Sequence, residues 1–208
     1  MRSVLQKAGL VERKCIEIMG KYMTFSITDS DNIEVVRISD EEDIYRYEEV
    51  KIIYKRKERE YILYNNDFIV EAFSVLEILL YKAIAGELEL HSSIKEKGIG
   101  FLSNEYFQNK PGLTMIDGEE GKFWVGDRYL LWESMGYQTW IYNFNREIKI
   151  EVTPTYKWHF DELDEKSINF ISYEEFIKNY MSCFVITISK STAETWLNKC
   201  KEINNKLN

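Results

Sequence analysis

Residues 121–156, GKFWVGDRYLLWESMGYQTWIYNFNREIKIEVTPTY, decide the fold. Within them, residues 147–152 (EIKIEV) alternate three charged with three aliphatic side chains. This period of two predicts an antiparallel strand with one face in the core and one in solvent. Residues 139–142 (TWIY) are β-branched and aromatic, which favours a second strand, and residues 143–146 (NFNR) predict a hairpin loop between the two.

Residues 123–132 predict a third strand, in which Gly126 and Asp127 indicate a bulge or a tight turn. Pro154 should end the last strand, because proline cannot donate to a β-ladder. This antiparallel meander holds Trp124, Trp132 and Trp140, which could line an aromatic ligand cage. Core packing is the favoured interpretation, since large aromatic side chains ordinarily fill a small sheet core.

Composition indicates a globular protein. The chain has 208 residues, of which 45% are hydrophobic and 14% aromatic, enough to bury a sizeable core. We interpret residues 1–208 as a single α+β domain. The formal charge of −8 disfavours binding to nucleic acid, which is driven by neutralising phosphates, and favours a basic protein partner.

Cysteine spacing and hydropathy place the chain among soluble cytoplasmic proteins. Cys15, Cys183 and Cys200 are far apart and form no C-x-x-C pair, so free thiols are expected and a zinc or redox site is not. We expect no signal peptide, because residues 2–15 lack a sustained apolar run. We expect no membrane association, because the most apolar stretch, residues 68–85, is interrupted by charges. We predict neither a metal nor a cofactor.

The N-terminal segment, residues 3–19, predicts an amphipathic helix that could be peripheral. Its apolar side chains recur at helical spacing: Val4, Ala8, Val11, Cys15 and Ile18. A later start at Met19 or Met23 would make it dispensable. Residues 22–28, 33–38, 50–54 and 60–64 predict four strands, and the basic residues 55–59 between the last two fit a solvated hairpin tip better than a phosphate contact.

Residues 68–85 predict a helix capped by Asn66 or Asp67 and stopped at Gly86. It is apolar around most of its circumference, which is typical of a helix buried in the core, against which a sheet packs. Residues 88–112 show no clear pattern and could be a functional loop or hold short elements. Residues 113–116 could form a strand.

The C-terminal part predicts two helices with a strand between them. Ser172 and Glu175 fit a capping box that opens a helix to about residue 181, and residues 184–188 predict a strand. Ser191 and Glu194 fit a second capping box, opening a helix to about residue 205 that buries Trp196, Leu197, Cys200 and Ile203. The predicted fold is α+β, a mostly antiparallel β-sheet with a buried central helix and helices at both termini.

Residue types suited to catalysis or metal binding are few. His159 precedes Asp161, Glu162, Asp164 and Glu165, but this spacing matches no cation-binding loop and a solvated acidic loop is favoured. His91 beside Ser92 and Ser93 suggests a nucleophile and its base, but no nucleophile elbow is present. We therefore predict no catalytic residues and a protein that is not an enzyme.

Two acidic stretches interleaved with tyrosine are the best candidate for a functional site. Carboxylates accelerate encounter with a basic protein, and aromatic side chains supply anchors. Two ordinary solvated faces are the alternative. The candidate partner-binding residues are Asp40, Glu41, Glu42, Asp43, Tyr45, Tyr47, Glu48, Glu49, Asp161, Glu162, Asp164 and Glu165.

A resemblance to a known class accompanies this interpretation. Residues 140–142 (WIY), 147–158 (EIKIEVTPTYKW), 173–176 (YEEF) and 186–189 (ITIS), followed by the helix with Trp196, resemble small bacterial immunity proteins encoded beside polymorphic or contact-dependent toxins. The resemblance covers residues 70–205. It implies a cytosolic, non-enzymatic protein that binds one toxin tightly and blocks it. The alternatives are a ligand-binding or scaffold module and, third, an enzyme that uses carboxylates.

Overall fold

The computed structural model describes residues 20–28, 30–39, 43–108, 115–118, 121–159, 166, 168 and 170–207. The first four strands form one antiparallel sheet in chain order, here called sheet A: β1 (Gly20–Ser26), β2 (Asp31–Arg37), β3 (Glu49–Arg56) and β4 (Arg59–Phe68). All four were predicted. The predicted helix of residues 3–19 lies outside the described residues.

Sheet A has one face in the core and one towards solvent. Ile33, Val35 and Ile52 are fully buried. On the opposite face Glu34 lies between Lys21 and Lys55, at 3.0 Å from each amine. The basic tip between β3 and β4 is tied down in the same way, since Lys55 pairs with Glu60 at 3.1 Å. Residues 56–60 are exposed, and the predicted hairpin is present.

Strand β4 runs directly into helix α1 (Ile69–Ala85). The prediction that Asn66 or Asp67 caps this helix is wrong. Asn66 sits in a bulge of the strand with φ 53°, and Phe68 occupies the cap position without a side-chain hydrogen bond. The amide of Ile69 instead donates to the carbonyl of Glu48 at 2.9 Å. Gly86 ends the helix as predicted, in the left-handed conformation with φ 78°.

Helix α1 is central, but it is not buried on all sides. Phe73, Leu76 and Leu80 face the core and are at most 1% exposed. Ile78 and Tyr81, on the outer side, are 55% and 61% exposed. The all-round apolar pattern therefore overstates how much of this helix is covered.

The chain between α1 and the meander contains short elements. Residues 88–112, expected to be irregular, include two helices: α2 (Ser92–Lys97) and α3 (Ile99–Gln108). A small hairpin follows, β5 (Ile116–Gly118) with β6 (Gly121–Phe123). The strand predicted at residues 123–132 is interrupted by helix α4 (Val125–Tyr129), so Gly126 and Asp127 are helical rather than a bulge.

The meander itself is confirmed. A second antiparallel sheet, here called sheet B, has the order β10-β9-β8-β7, formed by β7 (Leu130–Ser134), β8 (Tyr137–Phe144), β9 (Glu147–Pro154) and β10 (Phe184–Ile188). Asn145 and Arg146 form the turn between β8 and β9 with φ 53° and 65°, the backbone that a tight hairpin requires.

Sheet B is covered on both faces. One face packs against α1, where Asn143 donates to the carbonyl of Ala83 at 2.9 Å. On the other face α3 lies against β9, and Asn104 donates to the carbonyl of Pro154 at 3.0 Å. Glu151 is therefore buried, although the alternating pattern placed it in solvent. Its carboxylate accepts hydrogen bonds from Tyr142 at 2.8 Å and from Ser182.

The C-terminal elements follow the prediction closely. Ser172 caps α5 (Tyr173–Lys178) by accepting from the amide of Glu175 at 3.2 Å. Helix α6 (Lys190–Leu207) begins earlier than predicted, because Ser189 rather than Ser191 caps it. It buries the four predicted side chains, and Trp196 packs on Phe25 of sheet A with ring centroids 5.2 Å apart. One hydrophobic core joins both sheets, and the predicted α+β class is confirmed.

Candidate partner-binding surface

Three elements meet at one end of sheet A and form a surface that is both acidic and aromatic. The loop between β2 and β3 reaches Glu49, which pairs across the ladder with Phe68 at the end of β4. Helix α1 begins at the next residue. The exposed side chains of this acidic aromatic surface are Asp43, Tyr45, Tyr47, Glu49, Asp67, Phe68 and Glu71.

The aromatic side chains of this surface are open to solvent. Tyr45 is 47% exposed, Tyr47 is 61% exposed and Phe68 is 37% exposed. The rings of Tyr47 and Phe68 meet edge to face, with centroids 5.5 Å apart. Large aromatic side chains with few rotatable bonds make effective anchors at protein interfaces.

Four exposed carboxylates belong to the same three elements as these rings. Asp43 and Glu49 come from the loop and from the start of β3, and Asp67 and Glu71 flank the beginning of α1. Glu71 lies in the first turn of the helix, where a negative charge is favourable. The guanidinium of Arg46 lies 5.8 Å from the ring centroid of Tyr47. The arrangement favours a cationic partner over an anionic one.

Glu48, a predicted member of this surface, is buried instead. It is 1% exposed and accepts hydrogen bonds from the guanidinium of Arg37 and from Ser39. Arg37 also donates to the carbonyl of Asp43 at 2.9 Å. This buried ion pair therefore holds the loop in place, and Glu48 serves as its anchor rather than as a contact for a partner.

The structure brings together four of the predicted residues, Asp43, Tyr45, Tyr47 and Glu49. The other predicted residues lie outside the described part of the chain: Asp40, Glu41, Glu42, Asp161, Glu162, Asp164 and Glu165.

Asp67, Phe68 and Glu71 were missed by sequence reasoning. Asn66-Asp67 resembles a helix cap, and only the pairing of β3 with β4 brings Phe68 beside Tyr47. The available signal was a phenylalanine directly after two polar residues.

The tryptophans do not form a ligand cage. Trp132 and Trp140 are at most 3% exposed. The indole of Trp132 donates to the carbonyl of Ala72 at 3.2 Å, and that of Trp140 donates to Thr153 at 2.8 Å. Trp124 stacks on Tyr106 with centroids 4.8 Å apart. Core packing, the favoured interpretation, is confirmed.

Both histidines have local structural surroundings. His91 caps α2, and its Nδ1 lies 2.8 Å from the hydroxyl oxygen of Ser93. His159 lies 3.2 Å from Oδ1 of Asn104, and burial lowers its pKa to about 4. In the described part of the chain, no three metal-ligating side chains come together.

Comparison with known proteins finds no counterpart: no family matches the chain, and no curated protein or solved structure is detectably similar to it. Among the described residues, the helices are too short or too polar to cross a membrane.

Proposed function

We propose that this protein is a stoichiometric inhibitor of the bacterial immunity type, which neutralises a cognate toxin in the cytoplasm by covering a basic surface of that toxin. The observation that carries the proposal is the acidic aromatic surface, where three exposed rings lie among four carboxylates. Aromatic anchors supply affinity, and the surrounding charge accelerates encounter and selects a basic partner.

The way this surface is anchored to the fold also supports the proposal. Phe68 and Glu71 belong to regular elements, and the loop that carries Tyr45 and Tyr47 is anchored by the buried Arg37–Glu48 pair. A preorganised surface loses little conformational entropy on binding, which favours tight association. Tight binding of one partner is what an inhibitor requires.

The test is co-expression with the products of adjacent genes, followed by titration calorimetry of the purified pair. Replacing Tyr47 and Phe68 by alanine should weaken binding by about 30-fold or more, as expected for two central anchors. Reversing charge with Asp43→Lys and Glu49→Lys should lower the association rate and its dependence on salt.

Matched controls lie on helix α6, where Glu194 and Glu202 are exposed and belong neither to the loop that carries Tyr47 nor to the start of α1. Glu194→Lys with Glu202→Lys changes the net charge by the same amount and should leave affinity nearly unchanged. Equal losses for the two charge-reversal pairs would refute the proposed surface. Failure of every adjacent product to bind at micromolar concentration would refute the function.

A ligand-binding module is the second candidate. A groove of about 1000 Å³ lies between the end of α1 and the β5–β6 hairpin, with Lys82, Glu89, Arg128 and Phe123 among its lining residues. Charges of both signs beside an aromatic ring suit a small polar ligand. A rise in melting temperature with such a ligand, abolished by Arg128→Ala, would favour this function over the first.

A further inference from the structure

A buried carboxylate in sheet B lacks an ion-pair partner among the described residues. Glu151 of β9 is 8% exposed, and its carboxylate accepts hydrogen bonds from the hydroxyls of Tyr142, at 2.8 Å, and Ser182. Both donors are neutral side chains, so they orient the carboxylate without balancing its charge. Burial of a carboxylate is costly unless the charge is paired as well as hydrogen-bonded.

The other buried glutamates show how this protein balances such a charge. Glu34 lies 3.0 Å from the amine of Lys21 and 3.0 Å from that of Lys55. Glu48 is paired with the guanidinium of Arg37. Of the three glutamates that are buried in the described structure, Glu151 alone has no cationic side chain paired with it.

Glu151 also lines a cleft of about 190 Å³ that lies between sheet B and the helices α2 and α3. The rest of the lining is mainly apolar and aromatic and includes Leu90, Ile94, Ile99, Tyr142 and Phe144. The three aliphatic side chains of this set are at most 8% exposed, so they belong to the interior of the protein. The cleft is far larger than a single water molecule requires, and a small organic molecule fits in it.

Lys95 lines the same cleft but is paired with a different carboxylate. Its ammonium group lies 3.3 Å from the carboxylate of Glu89, which is exposed, and 5.2 Å from the centroid of the Phe144 ring. Lys95 therefore balances a charge at the protein surface, and the charge of Glu151 remains available to a ligand in the cleft.

The lining favours an organic ammonium ion over a metal ion. Hard metal ions such as Ca²⁺ take about six or more oxygen ligands. Glu151 is the only carboxylate among the described lining residues, and no three metal-ligating side chains come together in the described part of the chain. A primary ammonium group donates three hydrogen bonds, and a short alkyl chain attached to it gains from burial against Ile94 and Ile99.

We propose that this cleft binds a small primary amine, whose ammonium group donates to the carboxylate of Glu151 and supplies its counter-charge. The alkyl part of the amine packs against Ile94 and Ile99. Hydrogen bonds from Tyr142 and Ser182 hold the carboxylate in place before the amine binds, which lowers the entropic cost of binding. This inference does not rest on the proposed inhibitor function, because the acidic aromatic surface lies on sheet A, and the groove beside the β5–β6 hairpin is a different cavity.

Titration of the full-length protein with n-butylammonium, followed by NMR, tests the proposal, and n-butanol serves as the neutral molecule of similar size. Butylammonium should bind at least about ten-fold more tightly than butanol, because only the cation forms a charge-assisted hydrogen bond with Glu151. Intermolecular NOEs should join its alkyl protons to the methyl groups of Ile94 and Ile99. Equal affinities for the two molecules, or NOEs confined to other parts of the protein, would overturn the proposal.

Glu151→Gln and Glu34→Gln form a matched pair, because each removes one negative charge from a glutamate that is buried to about the same extent. Glu151→Gln should weaken the binding of butylammonium at least about ten-fold, and Glu34→Gln should change it by less than about two-fold. Circular dichroism establishes that both variants are folded at the temperature of the titration. Equal weakening by the two variants would mean that the amine responds only to the net charge, contrary to the proposal. The NOEs in the unmodified chain decide the matter if Glu151→Gln does not fold.

A lysine side chain of another protein carries the same ammonium group as a free amine. Nα-acetyl-lysine methylamide presents this group on a peptide backbone and should bind no more tightly than butylammonium, because its backbone part lies outside the cleft. Binding about ten-fold tighter than that of butylammonium would overturn the proposal in favour of a lysine of a partner protein.

Discussion

Two strands of this protein share a sequence pattern and differ in their surroundings. In β2 of sheet A, Glu34 stands between Ile33 and Val35, and in β9 of sheet B, Glu151 stands between Ile150 and Val152. The two carboxylates are about equally buried, at 9% and 8% exposed, but Glu34 is covered by the side chains of Lys21 and Lys55, which are themselves 55% and 34% exposed. Glu151 is held by the hydroxyls of Tyr142 and Ser182 inside the protein.

This difference shows what a two-residue alternation in the sequence can establish about a strand. Alternation identifies a strand and the face that carries aliphatic side chains, and it does so for both strands. It does not establish whether the other face meets water or a further layer. In sheet B that layer is supplied mainly by α3, where Asn104 contacts both Pro154 and the amide of Tyr156.

The prediction with the largest expected effect tests whether helix α3 packs closely against sheet B. A methyl group added at Gly100 in α3 would lie 2.4 Å from Oγ1 of Thr153 and 2.5 Å from its Cβ, closer than real contacts allow. Gly100→Ala should therefore lower the free energy of unfolding by about 3 kcal/mol, measured by urea denaturation.

The matched change in sheet A is Gly20→Ala, because among the described residues no atom beyond its chain neighbours lies within 4 Å of the added methyl group. It should change stability by less than about 0.5 kcal/mol. Similar losses at the two glycines would show that the covered and the open sheet are equally tolerant, contrary to the structure.

The next effect compares the two glutamates directly. Glu151→Gln weakens two hydrogen bonds to a buried carboxylate and should cost about 2 kcal/mol in urea denaturation. Glu34→Gln weakens ion pairs to two lysines that reach solvent, and should cost less than about 1 kcal/mol, decreasing further in high salt. The comparison fails if the Glu34 variant is the less stable of the two.

The last comparison concerns pH dependence. Burial lowers the pKa of His159, part of the cover of sheet B, from its ordinary 6.5 to about 4. The folded state keeps this imidazole neutral, so its contribution to stability is complete above pH 6.5 and is lost as the pH falls from 6.5 towards 4. His159→Gln should flatten the decrease in stability between about pH 7 and about pH 5.

In sheet A, the stability contributed by Glu34 changes in a lower range of pH. Burial opposes ionisation of Glu34, but hydrogen bonds from Lys55 and Lys21 hold its pKa below the ordinary 4.5. Its contribution is present above 4.5 and is lost below it, so Glu34→Gln should leave the profile above about pH 5 unchanged. If Glu34→Gln and His159→Gln changed the slope of stability against pH equally above about pH 5, that slope could not be assigned to His159.

Local patterns predicted most strands and the C-terminal helices, because alternation and caps act over few residues. Ser172 caps its helix as expected, and the tight turn at Asn145 joins the predicted strands. Features that depend on distant contacts were not predictable. Glu151 is buried by helix α3, which lies some 50 residues earlier in the chain. The sequence at the start of α3 has no periodic pattern that predicts a helix.

The residues of the candidate surface likewise include some that local sequence predicted and some that it did not. Tyr45, Tyr47 and Glu49 were found because carboxylates and tyrosines alternate along the chain. Glu48 has the same side chain as Glu49, and only Arg37, eleven residues earlier, decides that it is buried. Phe68 could be placed beside Tyr47 only through the pairing of two strands, which a single sequence does not reveal.

Because β4 runs directly into α1, this junction limits where the chain can accept insertions and deletions. Because no loop separates Phe68 from Ile69, one inserted residue would turn the whole helix by about 100° about its axis. Ile78 would then rotate to the buried position of Leu79, and the core residue Leu80 to the exposed position of Tyr81. The Gly86 turn at the other end has room to absorb such an insertion. Deletions and insertions in homologous chains should therefore avoid the first junction and accumulate after the second.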